Sequence, residues 1–153
     1  MATIRVQTEA FDIGVEMAAL CAGRTDIGGI GCFVGTVRDG AAGRAISAMT
    51  LEHYPGMTER AMADMAAEAE RRWNLLGCTL VHRVGRLLPG EAIVLVAAAA
   101  EHRQAALDAT AFLIDWLKTG APFWKKQAFA DGAEAWVAAR AEDDQAAARW
   151  SAG

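Results

Sequence analysis

The chain of 153 residues is short of tyrosine (one), proline (three), cysteine (three) and net positive charge. Each shortage excludes something. Fifteen Lys and Arg against 19 Asp and Glu leave a net charge of −4, which argues against wholesale binding to nucleic acid or anionic membrane. Any anion site on this chain is therefore local. No apolar run approaches the ~20 residues of a membrane helix, and the opening MATIRVQTEAFDIG lacks the apolar stretch of a signal peptide. Cys21, Cys32 and Cys78 are odd in number, lack C-x-x-C spacing and sit among apolar neighbours. They read as buried free thiols, which fits a reducing compartment. The expected location is the cytoplasm.

Signatures of several chemistries are missing too. His53, His82 and His102 are not paired at i, i+4, and no Cys or acid stands at ligand spacing, so no metal site is expected. No G-x-S-x-G elbow supports a nucleophilic serine. Gly29, Gly31 and Gly35 follow G-x-G-x-x-x-G, and a strand continues where a dinucleotide fingerprint would begin its helix. Close backbone packing or a bulge explains these glycines better.

What is there suits a globular chain: 54% hydrophobic and 22% charged residues, with much of the apolar share in alanine. One domain is expected over residues 1–150, with a frayed tail at 151–153. Alternation marks strands at 3–9, 28–40 and 44–54, the last two joined by RDGAAG as a hairpin loop. Further strands fall at 78–87 and 92–100, joined by the turn LPGE, and at 134–140. The apolar AIVLVAAAA reads as a central strand. A first helix starts at the N-cap Asp12, buries Val15, Ala18, Ala19 and Ala22, and stops at Gly23. A second, over 55–73, buries Met62, Met65, Ala66, Ala69 and Trp73. A third, over 103–118, buries Ala105, Ala109, Phe112, Leu113, Trp116 and Leu117, and a short helical tail closes the chain. Hairpins dominate this order, so the fold class is α+β with a mostly antiparallel sheet.

The stretch WLKTGAPFWKKQ (116–127) holds three lysines and no acid beside two tryptophans, a phenylalanine and a proline. Lys118 at a helix end is ordinary, favoured by the helix dipole by only ~0.3–1 kcal/mol. Lys125 and Lys126 after Pro122 read as a loop, which alone would be unremarkable. Phe123 and Trp124 change that reading, because they anchor the loop against the body. A lysine held beside apolar surface is desolvated, its pKa falls, and it becomes a usable acid–base group. Phe123 and Trp124 themselves either line a channel or belong to the core. Arg38 at a strand end, with His102 and Arg103 between a strand and a helix, supplies further cations from other elements.

The segments GCFVGTVRDG, AMTLEHYPGM, VHRVGRLLPGE, AEHRQAAL and LKTGAPFWKK, in this order, resemble the large, catalytic subunit of molybdopterin synthase, the MoaE family. The resemblance implies an α/β hammerhead fold with an additional, mostly antiparallel β subdomain. It implies a homodimer core within a 2+2 heterotetramer. The partner would be a small ubiquitin-like, MoaD-type subunit whose C-terminal Gly-Gly carries a thiocarboxylate. Its sulfur would go to cyclic pyranopterin monophosphate, forming the molybdopterin dithiolene, with no cofactor or metal. A non-catalytic docking module for such a tail is the alternative. By position, Lys118 and Lys125 match the family's active-site lysines. Thr36, Val37 and Arg38 match its substrate-contacting segment. His102 and Arg103 match a substrate-handling pair placed by the neighbouring protomer, and Lys126 and Gln127 complete the substrate loop. Two positions depart from the pattern: Gln127 stands where many members have an acid, and Gly120 where many have arginine.

Overall fold

The computed structural model describes residues 2–41, 43–137 and 141–151. Strand β1 (Thr3–Gln7) leads to helix α1 (Ile13–Cys21), strand β2 (Gly29–Thr36), the short β3 (Gly40–Ala41) and β4 (Arg44–His53). Helix α2 (Met57–Trp73) follows, then β5 (Gly77–Arg83), β6 (Gly85–Leu87) and β7 (Ala92–Ala100). Helix α3 (Arg103–Thr119), β8 (Phe123–Phe129), β9 (Glu134–Trp136) and α4 (Ala141–Ala148) complete the chain.

One sheet runs β1-β5-β7-β2, and β1 and β5 are its parallel pair. A second, wholly antiparallel sheet runs β3-β4-β8-β9, with β6 also on β4. The class is α+β and the pairing mostly antiparallel, as expected. Strand β7 is interior and buried from Ile93 to Ala100. Helices α2 and α3 cover the first sheet through Met62, Ala66, Ala69, Phe112 and Leu113, which meet Leu80 and Val96 in one apolar cluster. The glycines of β2 serve close packing: a Cβ on Gly31 would stand 2.5 Å from the Ala106 carbonyl and the Thr110 hydroxyl of α3. In LPGE, the Glu91 N–H reaches the Leu88 carbonyl at 3.0 Å, and Gly90 supplies the φ of +90° that the turn needs.

Several expectations are corrected. Segments 28–40 and 44–54 are not hairpin partners along their length. Only Gly40 and Ala41 pair with β4, while β2 crosses to β7 in the other sheet. Segment 78–87 is two strands in different sheets, broken at Val84–Gly85, where Gly85 has φ +88°. Helix α1 does start at Asp12, whose carboxylate accepts the Val15 N–H at 3.0 Å. Its packing face is not the expected one, because Val15, Ala18, Ala19 and Ala22 are exposed while Met17, Leu20 and Cys21 are half-buried. Leu20 lies where a Gly77 side chain would be. Of the cysteines, Cys78 is buried, Cys21 is intermediate and Cys32 is exposed. The expected strand 134–140 is seen as β9, and residues 138–140 lie outside the described residues, as do 152 and 153 of the expected frayed tail.

The largest correction concerns residues 123–129. They form a strand, not a loop, held by β4 on one side and β9 on the other. The helix α3 ends with the Gly120 N–H on the Trp116 carbonyl at 2.7 Å, and Pro122 makes the bend. Gly120 has an ordinary φ of −109°. A Cβ here would stand 2.8 Å from the Trp116 indole, so a larger residue at this position requires that ring to shift. Across the bend, the Thr58 hydroxyl at the start of α2 reaches the Pro122 carbonyl at 3.4 Å, tying bend to helix.

Candidate active site

Strand β8 presents alternate residues to opposite sides. Phe123, Lys125, Gln127 and Phe129 share one face, opposite His53, Leu51, Met49 and Ile46 of β4. Leu51 and Phe129 are buried, at 1% and 7% exposure, so this is the inner face. Lys125 thus enters partly apolar surroundings. Burial is the main cause that pulls its pKa down to about 8. The neighbouring charge of Lys118 acts in the same direction, as does a hydrogen-bond contact between the two amines, while Asp143 of α4 opposes them. Lys118 is exposed at the last turn of α3, one residue after the buried Leu117. Two amines from different elements therefore share one small space.

Trp124, Lys126 and Ala128 face outward. Lys126 pairs with Glu134 at 3.6 Å and lies 5.5 Å over the Trp136 ring. It is placed on the other side of β8 from Lys125. Trp124 is 40% exposed and meets Tyr54 edge-on at 4.6 Å. Phe123 is turned inward and stacks on His82. The two aromatics thus have different surroundings, one at the core and one at the surface.

The remaining expected site residues fall in two further places. Val37 is 2% exposed and packs in the core cluster that also holds Leu51 and Leu117. Its N–H donates to the Glu91 carbonyl at 2.9 Å, and its carbonyl accepts from Gly90 at 2.8 Å. This clamp leaves the flanking Thr36 and Arg38 exposed. Arg38 lines an open depression of about 440 Å³ with Asp39, Gly40, Ala41, Gly43, Arg44 and Ala45. Arg44 is already engaged by Asp131 at 2.9 Å and by the Phe129 ring at 3.7 Å. Arg38 has no such partner among the described residues. His102 and Arg103 are exposed at the N-terminal end of α3. Fifteen residues of helix, about 22 Å at 1.5 Å per residue, separate Arg103 from Lys118. Within one chain they do not join the lysine pair.

Sequence reasoning missed the rings beneath the lysines. His82 is 4% exposed, and its centroid lies 3.8 Å from that of Phe123 at an interplanar angle of 17°. Burial, with the nearby charges of Lys125, Lys118 and His53, drives its pKa down to about 3, so the ring is neutral. His53 lies on the other flank of Phe123 at 6.3 Å. Its buried Nδ1 finds no hydrogen-bond partner among the described residues, the nearest carboxylate being Glu59 at 4.0 Å. Strand alternation did carry a signal, since it puts His82 on the same face as Leu80 and Cys78.

The arrangement defines a class: an α+β protein with a cationic, partly desolvated amine pair suited to acyl or group transfer between anionic reactants. Comparison with known proteins narrows the class. The family profile described as MoaE protein matches residues 6–120, and the chain belongs to this family. It is 53% identical over 150 residues to the molybdopterin synthase catalytic subunit of Ralstonia nicotianae, covering 98% of this chain and 85% of that relative. Identity to the molybdopterin synthase catalytic subunit of Pseudomonas aeruginosa is 55% over 147 residues, covering 96% and 97%. Among solved structures, the molybdopterin biosynthesis MoaE protein of Burkholderia ambifaria superposes with a TM-score of 0.83 at 56% identity, covering 98% of both chains. Molybdopterin synthase from Staphylococcus aureus superposes at 0.82 with 25% identity, covering 90% of this chain and 98% of that one. The hammerhead fold with its added antiparallel sheet is the fold of these neighbours.

Proposed function

We infer that the chain is the catalytic subunit of a molybdopterin synthase, a sulfurtransferase. It moves sulfur from the C-terminal thiocarboxylate of a small ubiquitin-like subunit onto cyclic pyranopterin monophosphate, building the molybdopterin dithiolene. The observation that carries this reading is Lys125, held on the inner face of β8 beside Lys118 with its pKa pulled down to about 8. Such an amine is near the protonation balance that proton transfer at neutral pH requires.

The chemistry asks for this placement. Thiocarboxylate and substrate phosphate are both anions, and the net charge of −4 gives them no general attraction to this chain. The dithiolene takes two rounds, one thiocarboxylate in each: the thiocarboxylate sulfur forms its bond to a pterin side-chain carbon, and oxygen leaves that carbon. Water then adds to the tail carbonyl, and the tetrahedral adduct collapses to free carboxylate and substrate-bound sulfur. Lys118 stabilises the oxyanion of that adduct, and Lys125 passes protons to the leaving oxygen and from the water. Arg38, whose guanidinium has no protein partner among the described residues, suits bidentate phosphate recognition, with Thr36 and Val37 presenting it. Gln127 contacts substrate from the Lys125 face, and Lys126 contributes field from the outer face. His102 and Arg103 reach substrate from a second protomer, in a homodimer flanked by two small subunits. The three free cysteines, one of them exposed, suit a reducing cytoplasm.

The test mixes the purified chain with a thiocarboxylated small subunit and cyclic pyranopterin monophosphate and follows molybdopterin. Product from wild type, and a loss of ~10²–10³ in rate for Lys118→Ala, is the expected result. No product from wild type, with the small subunit still bound, would reduce the chain to a docking module.

A further inference from the structure

Around the two amines are groups to which the reaction above gives no task. His82 is the most constrained of them. It lies on β5, on the inward face with Cys78 and Leu80, and is 4% exposed. Its Nδ1 stands 2.8 Å from the Arg83 carbonyl. A carbonyl only accepts, so in the neutral ring Nδ1 carries the proton. The ring is then fixed at two places, by that hydrogen bond and by its stack on Phe123 at 3.8 Å and 17°. Phe123 is the first residue of β8 and faces the same side as Lys125, two positions on. The link from α3 to β8 is only residues 120–122. Whatever holds Phe123 therefore sets where β8 leaves the bend.

Something must hold it, because Lys118 and Lys125 repel. Among the described residues, the charged and titratable groups that make up the pair or act on it and on His82 come from five elements. They are Lys118 from α3, Lys125 from β8, His53 from β4, Asp143 from α4, and His82 with Arg83 from β5. Arg83 turns away to the carbonyls of Thr8 and Ala92 and to Glu91. Asp143 is the acid that acts on Lys125. A buried imidazole that stays uncharged adds a flat stacking surface to this crowd without adding a third positive charge.

We propose that His82 is a positioning residue for the lysine pair: its stack on Phe123 fixes the start of β8 and so delivers Lys125 to Lys118. Losing the stack lets the strand end loosen, admits water, and lets the amines part. Water entry and separation of the amines each return Lys125 toward ordinary lysine behaviour. The kinetic consequence rests on the sulfurtransferase reading, and the structural one does not.

The experiment labels the full chain with a trace acylating reagent across pH and reads Lys125 by mass spectrometry, with Lys126 as the internal surface lysine. Three variants are compared: His82→Leu, His82→Phe and Phe123→Leu. In wild type the labelling half-point of Lys125 is expected near 8. His82→Leu and Phe123→Leu are expected to raise it by at least ~1 pH unit, and His82→Phe, which keeps the stack, to move it by less than ~0.3. In the sulfur-transfer assay, the two leucine variants should lose ~10-fold in kcat with KM within ~2-fold, and His82→Phe should stay close to wild type. Phe123→Leu carries the test if His82→Leu does not fold. An unchanged half-point in folded leucine variants would overturn the proposal. So would a shift in His82→Phe as large as in His82→Leu, because the ring nitrogens would then matter and the stack would not. Labelling needs no substrate, so leucine variants that shift as expected, beside a wild type that transfers no sulfur, sink the enzymatic reading alone.

Discussion

Lys125 and Lys126 are neighbours in sequence and strangers in environment. The first sits on the inner face of β8 opposite the buried Leu51, beside a second amine. The second sits on the outer face with Glu134 at 3.6 Å and the Trp136 ring at 5.5 Å. Residue type, helix end and local charge are the same for both. Which side of one strand each occupies decides whether its amine is desolvated beside a second amine or paired with a carboxylate at the outer surface. A lysine's chemistry in this protein is a property of the strand that carries it.

The sharpest way to break that contrast is to remove each amine in turn. Lys125→Ala is expected to lower kcat/KM for sulfur transfer by ~10²–10³, and Lys126→Ala by less than ~3-fold, both measured as molybdopterin formed. Equal losses would mean that the two faces do not differ in function. Lys125→Arg adds a finer cut. Arginine keeps the charge and does not give up its proton, so a proton-shuttling lysine should lose nearly as much activity to Arg as to Ala.

Stability against pH separates the two faces in a second way. The folded-state pKa of Lys125, about 8, lies below the ordinary lysine value, roughly 10.4. Between these values the unfolded chain binds more protons, so stability at this site rises with pH across that window, and below it the cost of the buried charge is present in full. Lys125→Met should therefore be more stable than wild type at pH 7, by on the order of 1 kcal/mol. The gap should close as pH climbs through 8 toward 10.4. Lys126→Met should instead lose slightly, ~0.5 kcal/mol for a surface ion pair. Denaturant midpoints at several pH values would show it, and a pH-independent gap for Lys125→Met would count against the buried charge.

The smallest effect concerns the C-terminal helix. Trp150 packs edge-on against Trp73 and Phe112 at 5.6 and 5.7 Å, and its indole N–H donates to Asp115 at 2.7 Å. This anchors α4, whose Asp143 is the charge that raises the pKa of Lys125. Asp143→Asn should move the acidic limb of the activity profile down by a few tenths of a pH unit. A shift upward would mean that Asp143 does not act on this amine.

Much of this was legible in the sequence. The stripes of α2 and α3, the Asp12 cap, the LPGE turn and the interior β7 follow from periodicity and local turn chemistry. What escaped depended on contacts remote in sequence. In α1 periodicity points to the face of Val15, Ala18, Ala19 and Ala22, and the contact of Leu20 with Gly77 turns the other face inward. The partner of β2 is β7, some sixty residues away in sequence, and no local pattern announces that crossover. Residues 123–129 follow a helix stop and a proline and carry two adjacent lysines, which is the composition of a loop. Only pairing with β4 and β9 makes them a strand. The lysine pair itself was legible through LKTGAPFWKK, whereas the His82–Phe123 stack needed β5 and β8 to be brought face to face.

The adjacency of Lys125 and Lys126 also bears on how reliably the site assembles. A slip of β8 by one residue would exchange its faces and still present an amine to Lys118, so electrostatics alone would not reject the misfolded arrangement. Phe123 and Phe129 would reject it, because the same slip moves both rings out to water and brings Trp124 and Ala128 inward. The aromatic residues act as proofreaders of a doublet that charge alone reads ambiguously.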